Sequence, residues 1–140
     1  MKRLIFTSLF ILFAFNLYAQ TVPLTINIEK INSDKGNILV GICATADEFA
    51  EKEPCKYFFS IPAKKGSITE SVNVDKGRYA VLVYHDENSN NRLDMAMFGK
   101  PTERYGFSNN KYGAFGSKPP FDEAAINIDK PVNITVKLRK

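Results

Sequence analysis

The sequence has no tryptophan, one histidine and two cysteines in 140 residues. A single imidazole leaves little from which to assemble a histidine-rich metal centre or a catalytic triad, and His85 is the only candidate of its kind for general-base chemistry. Two cysteines and one histidine do not complete a closed four-ligand zinc shell without carboxylates. There is no glycine-rich phosphate loop and no nucleophile elbow. Charge of one sign is scarce as well. The formal net charge is +4 and falls to +2 if residues 1–19 leave with Lys2 and Arg3, too little for the clustered basic face that a nucleic-acid partner needs.

The one long apolar run lies at the N-terminus. Met1, Lys2 and Arg3 precede an apolar stretch over 4–15, and Ala19 follows as a small residue at the end. This is the three-part layout of a secretory signal peptide. A membrane span needs about 20 apolar residues, and this run is shorter and interrupted by Thr7 and Ser8. The expectation is cleavage after Ala19 and a single exported domain over 20–140, periplasmic or secreted and not membrane-spanning. Export makes a disulfide between Cys43 and Cys55 permissible, because oxidising compartments preserve such bonds.

Strand periodicity dominates the rest. Leu24, Ile26 and Ile28 alternate with polar residues, and so do Ile38, Val40 and Ile42 after the turn signal Asp34-Lys35-Gly36. A third run over 57–61 stops at Pro62, and a fourth carries Ile68, Val72 and Val74. Residues 79–84 are apolar on both parities, which marks a central strand covered on both sides. Ile126 and Ile128, then Val132, Ile134, Val136 and Leu138, close the chain. Short strands separated by turns predict an all-β protein, an antiparallel sandwich of about seven strands. The one helical signal is 45–52, where Thr45 and Glu48 have capping-box spacing.

Two stretches carry chemistry. In the first, Asp86, Asn88, Asn90 and Asp94 occupy positions one, three, five and nine of a calcium-loop spacing, with the Arg92 carbonyl at position seven. Asn91 stands where glycine is usual, and position twelve is Met97, which has no carboxylate. The spacing therefore supports either a weak calcium site, with Kd of the order of 10⁻⁴ to 10⁻³ M, or an ion-free turn in which the side chains bind their own backbone.

The second stretch is a glycine- and proline-rich loop over 98–122 without regular periodicity. Its segment 104–121 suggests a glycan- or peptide-binding surface built from Tyr105, Phe107 and Tyr112 with Asn109 and Asn110. The competing expectation is that these rings cap one open end of the sandwich as a satellite core. A hydrolase would use His85, oriented by Asp86, with Ser108 as nucleophile, but nothing in the spacing places Ser108 beside His85. The expectation is a non-enzymatic module of the cell envelope that binds a partner or serves structurally.

Several motifs in order resemble the bacterial family called domain of unknown function 2141. They are Asp34-Lys35-Gly36, Gly77-Arg78-Tyr79-Ala80-Val81, His85-Asp86-Glu87-Asn88 with Asn90 and Leu93-Asp94, Tyr105-Gly106-Phe107-Ser108-Asn109-Asn110, and Phe121-Asp122-Glu123-Ala124-Ala125. Family members place glycine where this chain has Ser89 and Asn91. The resemblance implies an exported sandwich-like domain with no assigned activity. At the level of fold alone it is also similar to transthyretin-like and carboxypeptidase-regulatory-like sandwiches.

Overall fold

Alternate residues of the first strand set the core. Val22, Leu24, Ile26 and Ile28 of β1 (Thr21–Ile31) are buried while their neighbours face outward or lie half-buried, as strand geometry demands. Near the end of β1, Lys30 adopts φ 65° and the pairing register shifts, which turns Ile31 inward out of phase. The computed structural model describes residues 20–140; the expected signal peptide, residues 1–19, lies outside the described residues.

After β1 come β2 (Asn37–Cys43), the one-turn helix α1 (Ala46–Phe49), β3 (Tyr57–Pro62), β4 (Gly66–Asp75) and β5 (Gly77–Asp86). The chain ends with β6 (Arg104–Phe107), a second one-turn helix α2 (Phe121–Ala124), β7 (Ile126–Ile128) and β8 (Val132–Lys137). One sheet has the order β4-β1-β8 and the other β3-β2-β5-β6, with β7 also paired to β5. The inner faces enclose Leu24, Ile26, Ile28, Ile38, Val40, Ile42, Val81, Val83 and Val136. The all-β sandwich expected from periodicity is the observed fold, with eight strands, a second α-helical turn and three short 3-10 turns. All strand pairs are antiparallel except β1 and β8, which run parallel from Leu24↔Val132 to Glu29↔Lys137.

The larger sheet has a second apolar layer on its outer face. Leu39, Ala80, Leu82 and Tyr84 point away from the main core, with Tyr105 and Phe107 of β6 beside them on the same face, and Phe49 and Ala124 complete the cluster. That explains why β5 is buried on both parities from Tyr79 onward. The aromatic residues form the expected satellite core, but it lies along a sheet face rather than at an open end of the sandwich, because β5 and β2 present apolar side chains on both sides.

The segment over that face is pinned at both ends. Cys43 and Cys55 form a disulfide across the α1 connection. Thr45 caps α1 by accepting from the Glu48 amide at 3.1 Å, and the Glu48 carboxylate accepts from the Ala44 and Lys56 amides. This is the capping-box pairing expected from the sequence, shifted one residue outward on its reciprocal arm.

Candidate functional site

Most residues expected to face a ligand in the long loop are used by the fold instead. Asn110 behaves like a strand residue against the free edge of β8. It donates from Nδ2 to the Thr135 carbonyl at 2.9 Å and accepts the Lys137 amide at 2.8 Å. Asn109 donates to the carbonyls of Glu123 and Ala125, and the Tyr112 hydroxyl donates to the Lys137 carbonyl. Tyr105, Phe107 and Tyr112 do come together, with ring centroids 5.6 to 5.8 Å apart in edge-on contacts. Yet Tyr105 and Phe107 are buried, and the Tyr105 hydroxyl donates to the Gly116 carbonyl. The rings form the floor of a site rather than its presenting surface.

His85 and Ser108 are not partners. Ser108 is fully buried beside Val81, four residues before His85, which places them about 13 Å apart at ~3.3 Å per strand residue. His85 is buried at the end of β5, where Nε2 donates to the Lys35 carbonyl at 2.9 Å and Nδ1 meets Asn32 Oδ1 at 3.0 Å. It anchors the β1–β2 turn. Glu87 lies beyond it, 3.9 Å from Nδ1. Burial pushes the Glu87 carboxyl upward, but hydrogen bonds from Asn32 and Ser33 and the nearby imidazole outweigh this and hold it below its ordinary value.

The side chains of the loop 86–94 hydrogen-bond to one another and to the loop's own backbone. Asp86 is fully buried, and its two oxygens accept from the Asn90 amide at 3.1 Å and the Asn91 amide at 2.8 Å. Asn88 and Asn90 accept from the amides two residues on, and both donate from Nδ2 into Asp94, at 2.5 and 2.7 Å. Ser89 and Asn91 take left-handed φ of 60° and 62°, a region asparagine tolerates better than most side chains. Glu103 escaped the sequence reading. It is 6% exposed and accepts from the Glu87 amide at 2.9 Å and the Asp94 amide at 3.1 Å, so it ties both ends of the loop. Among the described residues, no group of three or more His, Cys, Asp or Glu side chains is placed to hold a metal ion.

A cavity with a volume of about 640 Å³ lies over this aromatic floor. The buried rings of Tyr84, Tyr105 and Phe107 and the exposed rings of Phe98 and Phe115 all line it. Both phenylalanines sit in matching turns. Phe98 and Gly99 have φ of 64° and 73°, and Phe115 and Gly116 have φ of 54° and 80°. Gly99 donates to the Ala96 carbonyl and Gly116 to the Gly113 carbonyl, each at 3.2 Å. Two successive positive φ values define the tight turn that normally takes Asn-Gly, and a phenylalanine there is costly, of order 1–3 kcal/mol.

The rings gain no burial in return. Phe98 is 101% and Phe115 109% exposed, and Met97 nearby is 81% exposed. The sequence signal that would have found them is the doublet Phe-Gly occurring twice, 17 residues apart, at 98–99 and 115–116.

Charge on the groove is uneven. Glu51 is the one carboxylate side chain lining it. Glu51 accepts from the Tyr84 hydroxyl at 2.5 Å and pairs with Lys118 at 3.1 Å. Burial, and secondarily Glu51, push the Tyr84 phenol far above its ordinary value, so it stays a neutral donor. Lys100, Arg139 and Lys140 also line the cavity and make no salt bridge among the described residues. The Arg139 guanidinium lies over the Tyr112 ring at 4.6 Å. A smaller cavity of about 510 Å³ continues from this one, sharing Glu51, Tyr84, Leu93 and Met95.

No helix among the described residues is long and apolar enough to cross a membrane. No curated protein and no solved structure matches the sequence. The model of an uncharacterized protein family conserved in bacteria, DUF2141, matches residues 26–135, spanning the sandwich from β1 into β8, and the chain belongs to that family.

Proposed function

We propose that the protein is a non-enzymatic, exported binding module whose ligand site is the groove lined by Phe98 and Phe115. The observation that carries this reading is the pair of fully exposed phenylalanine rings, held on strained turns, that line one aromatic-floored cavity. Exposed apolar side chains clustered at a concave site mark binding surfaces, and backbone strain persists where the surrounding structure over-determines it. Export is supported by the signal-like residues 1–19 and by the Cys43–Cys55 bond. Compared with the glycan or peptide surface expected over 104–121, the site keeps Tyr105 and Phe107 as floor and moves the contacts to Phe98 and Phe115.

The test is a chemical-shift titration of the purified protein with three ligand panels: neutral oligosaccharides, short peptides and simple amphiphiles. Saturable shifts confined to residues around the groove are the expected result. Shifts elsewhere, or none with any panel, would refute a groove function.

For the loop 86–94 we propose a structural brace rather than a calcium site. Two amide donors, from Asn88 and Asn90, point into Asp94 where a cation would otherwise neutralise it. A calcium-dependent rise in melting temperature would establish the alternative, a weak ion site completed by Glu103.

A further inference from the structure

We propose that the groove takes an anionic amphiphile, specifically a single aliphatic chain ending in a carboxylate. This deepens the groove reading above and rests on it. Three features of the lining select this chemistry over a sugar or a peptide.

The first is that the polar atoms of the floor are already engaged. The Tyr84 hydroxyl donates to Glu51 and the Tyr105 hydroxyl to the Gly116 carbonyl. A glycan or a peptide backbone needs directional partners for its own hydroxyls or amides, and burying them unpaired is unfavourable. A methylene chain needs none. The second feature is the walls. Phe98 and Phe115 line the groove, and Met95, 56% exposed, adds an unbranched side chain that adapts to an irregular apolar occupant. The cavity volume of about 640 Å³ falls within the range of small-molecule sites, roughly 300–1,000 Å³.

The third feature is charge. Glu51 is matched by Lys118, which leaves Lys100 and Arg139 lining the groove without a salt bridge among the described residues. Arginine stacked on a ring keeps its outer N–H fork available to a planar carboxylate. The apolar length of the ligand would lie against the two phenylalanines, with its head paired to Lys100 or Arg139.

The experiment titrates the purified protein with sodium decanoate below its micellar concentration. Decyl glucoside and decyltrimethylammonium serve as neutral and cationic counterparts of the same chain length. Saturable one-site binding of decanoate is expected, at least tenfold tighter than either counterpart. Lys100→Gln with Arg139→Gln should reduce decanoate to the level of the glucoside, and Phe98→Ser with Phe115→Ser should weaken all three at least tenfold. All four substituted side chains lie outside both apolar cores, and unchanged amide shifts along β5 serve as the folding control.

Equal affinity for the three heads would overturn the proposal while leaving a groove function standing. Binding of oligosaccharides or peptides but not decanoate would do the same. Binding to phosphatidylglycerol vesicles without binding of monomeric decanoate would overturn it in favour of a membrane surface. No shifts with any ligand would remove both readings.

Discussion

The Ser108 side chain takes the place of a strand residue against Val81: its Oγ accepts the Val81 amide at 2.9 Å and donates to the Ala124 carbonyl at 2.5 Å. On that edge of β5, β6 pairs with residues from Leu82 to His85 and β7 with Gly77 to Tyr79, so Val81 falls in the gap between them. A buried amide without a partner is costly, and the serine removes that cost. Ser108→Ala is expected to destabilise the fold by about 1–3 kcal/mol, measured by denaturant unfolding. A loss below about 0.5 kcal/mol, the scale of an ordinary surface substitution, would contradict this role.

Asn88 and Asn90 act as donors toward Asp94, which makes the loop 86–94 self-neutralising. Replacing both by Asp removes two donors and sets carboxylates against Asp94. The double variant Asn88→Asp/Asn90→Asp should melt lower than the wild type in chelator and regain stability in millimolar calcium, because a ligand bound only by the folded state stabilises it by mass action. The wild type should show no calcium-dependent shift. A wild-type shift abolished by Asp86→Ala would instead make the loop an ion site.

Glu103 bridges the amides of Glu87 and Asp94 from within the structure. Glu103→Gln keeps one acceptor oxygen and strands one amide, whereas Glu103→Ala strands both. Losses of about 1–3 kcal/mol per amide should appear as a graded decrease in unfolding free energy, with Gln between wild type and Ala. Equal effects of the two substitutions would count against the bridging geometry.

Lys56 and Asp75 form an ion pair at 2.8 Å, and the hydrogen bond from Lys56 holds the Asp75 carboxyl below its ordinary 3.8. The same bond raises the Lys56 ammonium above its ordinary 10.5. Asp75 therefore contributes stability that is present above pH 3.8 and is lost as pH falls through its lowered folded value. The Lys56 contribution is full below pH 10.5 and is lost as pH rises through its raised value. Both side chains are partly exposed, so screening keeps the effect small. In Lys56→Met the melting temperature should fall less steeply below pH 3.8 than in the wild type. Identical acid limbs would show that the pair does not contribute.

Reduction of Cys43–Cys55 frees the connection that carries α1, including Phe49 and Glu51 beside the groove. Closing a loop of about 13 residues contributes up to roughly 3 kcal/mol by the chain-entropy estimate. Cys43→Ser/Cys55→Ser should lower the melting temperature measurably, and reductant should do so in the wild type but not in the variant. An unchanged wild-type melt in reductant would contradict that contribution.

Much of the architecture was legible because burial forces a period of two. The Leu24, Ile26, Ile28 stripe, the doubly covered β5 and the Thr45–Glu48 cap are written in adjacent residues. The parallel pairing of β1 with β8 was not, since an apolar stripe specifies a buried face and leaves the direction of its neighbour open. The helical turn of α2 is too short for any helical period to register.

The site was harder to read than the fold. Asn109, Asn110 and Tyr112 carry the groups a ligand surface needs, and the same groups serve to cap the end of α2 and the edge of β8, a choice only the tertiary contacts decide. Phe98 and Phe115 have the opposite property. Their Phe-Gly doublets look like ordinary loop residues until the backbone is seen to hold both in the left-handed region around one cavity.

The central claim is that these two rings form one binding site. The most direct measurement is an amide chemical-shift titration with decanoate, recorded on the wild type and on Phe98→Ser/Phe115→Ser. Saturable shifts around Tyr84, Tyr105 and Phe107 in the wild type, with affinity at least tenfold weaker in the variant, are expected. Equal shifts in both proteins, or shifts centred away from the groove, would contradict it.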